Sequence, residues 1–319
     1  MIDIIREPQY EQMMRTVVEP GLEAMREEID MPLSTGGTLH GEVYNRLDAE
    51  RAVVILHGYT ESAEKFRELA WYFIAEGYSV FAMDHRGHGR SVREVEDLSL
   101  THVDHFGDYL RDLSEFMDNV VLPRMGKAKL CLYGHSMGGA LAAFALIEHP
   151  EWFARAVLSA PMIAPITKPL PRRVAHVLGG LVCRMGKGKD RAFVGKPFDP
   201  EKESFELSHM TSRPRYAYYQ AKRCVRPELQ NNSPSNSWAR EASGVTEPLL
   251  ARADTIRVPV MLCQAMRDSI VGLKEQDQFI ERVPQGKLVR YDSKHEIYSA
   301  EDAVLSGYIQ DVIGFLNEA

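Results

Sequence analysis

Long apolar runs are missing from this sequence. No stretch of about 18 or more apolar residues occurs, so no membrane-spanning helix is expected. The start, Met1-Ile2-Asp3-Ile4-Ile5-Arg6-Glu7-Pro8, lacks a basic segment followed by an apolar one, and no secretory leader is expected. Positive charge is not in excess. The formal net charge is −7 over 319 residues, which argues against a nucleic-acid partner. Cysteine is scarce: Cys131, Cys183, Cys224 and Cys263 are widely and irregularly spaced. That spacing suggests neither a disulfide framework nor a zinc site. Reduced, structural cysteines and a cytoplasmic protein are the expectation. Internal repeats and low-complexity tracts are absent as well.

What is present is an alternation of short apolar runs with longer amphipathic segments. Residues 9–28 read as a helix interrupted near Pro20-Gly21, and residues 28–46 as two extended segments around the hairpin signal Gly36-Gly37. Strands are expected at 52–56, 78–83, 130–133, 156–158, 258–263 and 286–291. Helices are expected at 62–76, 105–122, 137–148, 272–282 and 299–317. This order gives βαβ units and a mostly parallel, doubly wound sheet. Residues 161–254 break the alternation. They are rich in proline, charge and helical stretches, and are expected to be a mainly helical lid over the carboxyl edge of the sheet, where ligands bind in such folds. The division is then an N-terminal helical extension (1–30), a core (31–160 and 255–319) and the lid (161–254).

Gly134-His135-Ser136-Met137-Gly138-Gly139 joins an expected strand to an expected helix and fits the nucleophile-elbow pattern of α/β-hydrolases. Gly134 and Gly138 leave room where a side chain would clash, and the following helix points its amides at the serine oxygen. Such folds carry their triad in the order serine, acid, histidine. Of the 11 histidines, His295 alone follows residues 258–263, and it precedes the last helix. Asp268, five residues past Cys263, is the expected acid. Glu275 and Asp277 fall in the next helix, Asp292 belongs to the histidine's own loop, and pairing with Arg267 is the plain structural alternative for Asp268. The oxyanion of acyl transfer needs two backbone amides. Those of Met137 and Tyr59 are expected to supply them, leaving both side chains free to serve the pocket. No metal and no cofactor are expected. His85 and His88, in the charged run Asp84 to Ser91, lack an evident third ligand, and that run is read as a structural brace.

Four motifs occur in order: His57-Gly58-Tyr59, the run Met83 to Ser91, Gly134 to Gly139, and Lys294-His295-Glu296-Ile297. Together they resemble the S33-type serine aminopeptidase group of α/β-hydrolases, which holds lysophospholipases of the L2 type and monoacylglycerol lipases. The segments Leu207 to Arg213 and Ser237 to Ala242 resemble the lysophospholipase branch. The resemblance covers roughly residues 30–317 and implies a lid and a substrate that is an acyl glycerol or lysolipid. Arg267 departs from the small residue usual beside the acid. A thioesterase or acyltransferase using the same acyl-enzyme, or a non-catalytic small-molecule binding protein, are the alternatives. Within the lid, Leu170, Val174, Val177, Leu178, Leu181, Val182 and Met185 fall in one sector about 140° wide on a helix. Two readings of this face are open: a plain lid helix packed on the core with a solvated basic side, or a wall of an acyl pocket. Arg172, Arg173 and Arg184, with Lys168, Lys187, Lys189 and Arg191 around them, are expected to meet anionic lipid at the inner membrane surface. Gly179-Gly180 reads as a break or hinge.

Overall fold

The structure, a computed structural model, describes residues 3–46, 48–193 and 195–319. Met1 and Ile2, part of the start in which no leader is expected, lie outside the described residues, as do Leu47 and Val194. Eight strands form the main sheet: β1 (Glu27–Pro32), β2 (Thr38–Tyr44), β3 (Arg51–Leu56), β4 (Tyr78–Met83), β5 (Lys129–His135), β6 (Arg155–Ser159), β7 (Val260–Ala265) and β8 (Gly286–Tyr291). Their order is β1-β2-β4-β3-β5-β6-β7-β8. The first two strands are antiparallel to their neighbours and the rest run parallel.

Burial on both faces explains why the central strands read as unbroken apolar runs. Ala52, Val54 and Leu56 enter the core on one side of the sheet, and Val53 and Ile55 that on the other. Leu130 and Leu132 divide from Cys131 and Tyr133 in the same way. The main helices are α1 (Arg67–Ala75), α2 (Gly107–Phe116), α3 (Met137–Glu148), then α4 (Arg172–Val182), α5 (Arg213–Val225), α6 (Asn236–Gly244) and α7 (Thr246–Arg252) between β6 and β7, and finally α8 (Leu273–Ile280) and α9 (Asp302–Asn317). All four cysteines are free, and Cys131 and Cys263 are buried in their strands.

Two sequence expectations need correction near the N-terminus. The helical segment ends at Glu23, and residues from Glu27 onward are already strand. Nor does Pro20-Gly21 interrupt it. A π-helical turn at Met14–Val18 precedes Pro20, and the chain goes on winding to Glu23. The wider turn also explains the spacing of Tyr10, Met14, Val18 and Leu22, all buried. A strict four-residue repeat drifts around a regular helix, and a π turn winds more slowly and keeps it on one face. Gly21 is needed because a Cβ there would lie 2.7 Å from the ring of Trp71.

At the start of the sheet, Glu42 on β2 is 3% exposed and takes Arg67, Arg26 and the Tyr44 hydroxyl as partners. Burial pushes its carboxyl up, but the bond and charge of Arg67, the Tyr44 bond and the charge of Arg26 outweigh it, bringing it down to about 2. A carboxyl depressed on folding stabilises above its unfolded value and loses that contribution as pH falls through its folded value. The window here runs from about pH 5 down to about pH 2. Melting curves of the protein and of Glu42→Gln should therefore differ most near neutral pH, by on the order of 3 kcal/mol. The gap should narrow steadily below pH 5. A gap independent of pH would mean that the ion pairs do not carry the effect.

Candidate active site

The elbow is built from close backbone contacts. Ser136, between β5 and α3, has φ 52° and ψ −115°, a conformation costly for a residue with a side chain. It is held there by its own amide donating to Ser159 O (3.0 Å) and by Met162 N and Ala140 N donating to its carbonyl (2.8 and 3.0 Å). A Cβ at Gly138 would lie 2.2 Å from Leu56 O and 2.5 Å from His57 O, so α3 starts against the end of β3. One at Gly134 would lie 2.6 Å from Gly138 O. Both elbow glycines are thus demanded by space.

Ser136, His295 and Asp268 come together from three separate loops at the carboxyl edge of the sheet. His295 Nε2 lies 2.8 Å from Ser136 Oγ, and Nδ1 lies 2.6 Å from Asp268 Oδ2. Asp268 Oδ1 accepts from the amides of Ile270 (2.7 Å) and Val271 (3.1 Å), which fixes the carboxylate and leaves its other oxygen for the histidine. Burial raises the Asp268 carboxyl, but the bond and charge of His295 and these two amides hold it below the usual range. It is therefore an anion at neutral pH, which orients Nδ1–H toward it and leaves Nε2 as the acceptor for the serine proton. The rival acids point elsewhere: Glu275 faces Arg172, Asp277 bonds Gln264 and Arg290, and Asp292 pairs with Arg267. Arg267 thus takes Asp292 rather than Asp268 as its partner.

Residues His57-Gly58-Tyr59 follow β3, and a Cβ on Gly58 would lie 3.1 Å from the Ser136 Cβ. The turn therefore passes directly over the serine, with the Tyr59 amide just beyond it. Met137 opens α3, so its amide has no partner within the helix. Of the two side chains expected to be free to serve the pocket, only that of Tyr59 reaches it. The Tyr59 ring lines the cleft and stacks on Trp238 with centroids 4.1 Å apart, whereas Met137 is 1% exposed and packs in the core.

The cleft over Ser136 has a volume of about 460 Å³. Its lining is mixed: Met162, Met210, Leu207, Ile270 and Trp238 are apolar, and Glu61, Lys65, Glu203, Arg223 and Glu296 are charged. Residues 202–238 of the segment between β6 and β7 roof it, tied down where Glu296 N donates to His209 O (3.1 Å) and Lys294 to Ser208 O (3.0 Å).

Residues 48–302 match the family described as serine aminopeptidase, S33. The chain belongs to the S33 family. It is 30% identical to lysophospholipase L2 of Escherichia coli over 285 residues, covering 84% of this chain and 81% of the relative. It is 27% identical to a monoacylglycerol lipase of Mycolicibacterium smegmatis over 251 residues, covering 74% and 76%. A solved structure of a soluble variant of monoglyceride lipase from Saccharomyces cerevisiae, in complex with a substrate analogue, superposes with a TM-score of 0.72. It is 19% identical and covers 92% of this chain and 94% of its own, a likeness that speaks to the α/β-hydrolase fold alone.

This S33 hydrolase carries a supporting group that sequence reasoning missed. Glu61, 4% exposed, accepts from Gly58 N (2.6 Å), Lys65 Nζ (2.9 Å) and the Tyr298 hydroxyl (2.5 Å). It holds the turn that carries Tyr59. Its signal was a carboxylate three residues past Gly58 in an otherwise uncharged loop. His135 is buried beside His295 with ring centroids 4.9 Å apart; burial first, then the charge of His295, holds it well below its ordinary value, so it stays neutral.

The lid-helix expectation is overturned. Among the described residues, none of 170–185 lines the cleft. Val174, Val177, Leu178, Leu181 and Met185 are 43–71% exposed, and α4 instead turns its small and polar side, half-buried, toward α6. Gly179 is neither break nor hinge. Its helix is continuous, and a Cβ there would lie 2.9 Å from that of Arg240 on α6. The His176 ring likewise approaches Gly244. Two glycines let two helices touch.

Gly138→Ala should destabilise the fold by about 1–3 kcal/mol or more, since the clash is with backbone. Gly307→Ala, in α9 with nothing within 4 Å of a Cβ, should be neutral or gain up to about 1 kcal/mol. Urea unfolding midpoints check both. Equal midpoints for the two variants would remove the elbow's packing argument.

Proposed function

We propose that this S33 hydrolase cleaves the acyl ester of glycerol-based amphiphiles, lysophospholipids foremost, through an acyl-enzyme on Ser136. One observation carries the reading: the relay Asp268–His295–Ser136 opens into a cleft lined by both apolar and charged side chains. His295 takes the serine proton as Oγ attacks the ester carbon. The amides of Tyr59 and Met137 receive the oxyanion. The protonated imidazole, stabilised by Asp268, then gives its proton to the departing alcohol. Water enters by the same route in reverse and frees the fatty acid. The two relatives named as a lysophospholipase and a monoacylglycerol lipase support an ester of this class. The apolar side chains of the lining suit the acyl chain and the charged ones the polar head.

The segment 161–254 acts as a lid, and its exposed apolar stripe docks on a lipid surface. Ile166, Leu170, Val174, Val177, Leu178, Leu181 and Met185 run outward along it from Pro165, which lines the cleft. Arg173, 86% exposed at the side chain, flanks the stripe and favours anionic headgroups. A single exposed apolar residue means little, but a contiguous stripe marks an interaction surface. Among the described residues no helix is long and apolar enough to cross a membrane.

A fluorophosphonate probe should label the protein at Ser136, and Ser136→Ala should abolish labelling and turnover. Asp268→Asn should fold yet lose up to about 10⁴-fold in rate on p-nitrophenyl esters. Near-normal turnover in that variant would move the acid elsewhere.

Replacing Val177, Leu181 and Met185 together by serine should lower the rate on lysophosphatidylglycerol vesicles roughly tenfold, and leave a short soluble ester unaffected. Arg173→Gln should weaken the salt dependence of the vesicle rate. Equal losses on both substrates would place the stripe in folding rather than docking.

A further inference from the structure

A second cleft, of about 970 Å³, opens on the other side of α6, away from Ser136, and Glu94 and Asp104 line it. Both belong to the long connection between β4 and α2. So does His102, which has a side chain with no exposed surface and sits just behind them. Its Nε2 lies 3.3 Å from Asp104 Oδ1 and 3.7 Å from Glu94 Oε2, yet makes no hydrogen bond to either. The three ligand atoms lie within 4.8 Å of one another.

The separations have a physical reading. An ion at about 2.0–2.2 Å from nitrogen and oxygen ligands sets tetrahedral ligand–ligand edges of about 3.3–3.5 Å. The observed distances from Nε2 bracket that edge. They are long or misaligned for a hydrogen bond, which needs about 2.7–3.2 Å. The other ring nitrogen is already engaged: Nδ1 lies 2.9 Å from Ser235 Oγ. A hydrogen donated there fixes the tautomer and leaves the Nε2 lone pair facing two carboxylates, the arrangement in which a metal-bound histidine is oriented by an outer partner. A buried lone pair opposite two anions is unfavourable without a cation between them.

We propose that Glu94, His102 and Asp104 form a binding site for a first-row divalent cation of the zinc class. One imidazole and two carboxylates suit zinc or manganese, and the exposed side of Asp104 leaves a position for water. The neighbouring cations do not fill the gap. Arg86 takes the opposite oxygen of Glu94, Oε1, at 2.8 Å, and Lys189 donates to its carbonyl at 3.2 Å. Two carboxylates would neutralise the ion. The site is structural: it joins the β4–α2 connection, through His102 and Ser235, to the start of α6. There Ser235 Oγ also caps the helix by accepting from Trp238 N (3.1 Å), and the connection and the lid segment pair as short parallel strands, Leu100–Thr101 with Ser233–Pro234. Neither His85 nor His88, the pair weighed from the sequence, belongs to this site; all three of its ligands lie further along the same connection.

The experiment uses the full chain, stripped with chelator and free of any tag. Zn²⁺ alone and Mn²⁺ alone are titrated by calorimetry, with melting followed in parallel. Binding of one ion per chain is expected, with a rise in Tm of roughly 5 °C at a hundredfold excess over Kd. Asp104→Asn, at a largely exposed position, and His102→Gln should each weaken binding at least tenfold and remove the Tm rise. Cys183→Ser, whose thiol lines the same cleft, should change neither. Absence of binding by both ions at millimolar concentration overturns the site. So does binding that survives both Asp104→Asn and His102→Gln, since the ion would then lie elsewhere.

Discussion

The contact on which the site depends is the one between Gly138 and the carbonyls of Leu56 and His57. It brings the start of α3 against the end of β3 with no side chain between them. Because β3 and β5 are adjacent and parallel, this fixes the turn after one relative to the turn after the other. Ser136 is forced to positive φ by the same closeness, and its carbonyl and amide are spent on Met162, Ala140 and Ser159. A strain of about 1–3 kcal/mol persists only where the surroundings over-determine it. Here they do, from three strands at once. Glu61 then completes the arrangement from the other side by holding Gly58.

The segment over the cleft is fastened unevenly. At its α5 end the fastening is buried and ionic. Arg215, 2% exposed, pairs with Glu68 of α1 at 2.9 Å and donates to Ile5 O at 2.6 Å. Lys222 reaches Glu19 and Glu64, and Arg226 reaches Glu64. The N-terminal extension is thus part of the clamp, which gives its apolar repeat a purpose beyond covering the sheet. Breaking such a buried pair by removing one partner costs about 3–5 kcal/mol, because a lone charge is left behind. At the α4 end the ties are half-exposed ion pairs, Arg172 with Glu275 and Arg173 with Glu247. Pairs of that kind contribute about 0–1 kcal/mol. Motion of the roof is therefore far easier at α4 than at α5.

This difference also marks where the sequence could be read and where it could not. The strand–helix alternation, the elbow and the order of serine, acid and histidine depend on local patterns, and each locates a loop at the carboxyl edge. Asp268 and His295 were legible because each follows a strand that reads clearly. Helix α4 was legible as amphipathic, but periodicity says only that two faces differ. Which face turns inward is decided by its neighbours, and α6 offers Arg240 and Gly244 to a small, polar side. Pro20 misled for a related reason: the π turn Met14–Val18 before it lets the chain go on winding past a residue with no N–H to donate, and the stripe Tyr10 to Leu22 stays on one face. Glu61 left only a faint local signal, because its importance lies in an amide three residues away and a tyrosine, Tyr298, from the far end of the chain.

The outward apolar face of α4 and the mixed lining of the cleft belong to one physical problem. An amphiphile must leave a lipid surface before its ester can reach a buried serine, and its chain should not cross open water on the way. An enzyme that buried every apolar side chain of its lid would present the lipid with a charged shell and force that crossing. Turning Val177, Leu181 and Met185 outward forgoes burial worth about 1.5–3 kcal/mol for each, recovered only when the stripe meets an apolar phase. Pro165 and Ile166 lie where stripe and cleft meet, so the apolar surface runs from the docking face to the wall of Met162 and Ile270. On the proposed function, an acyl chain following that surface passes α4, whose ion pairs are half-exposed, before it reaches the roof of residues 202–238, and its head meets Lys65, Glu203 and Arg223 in the cleft.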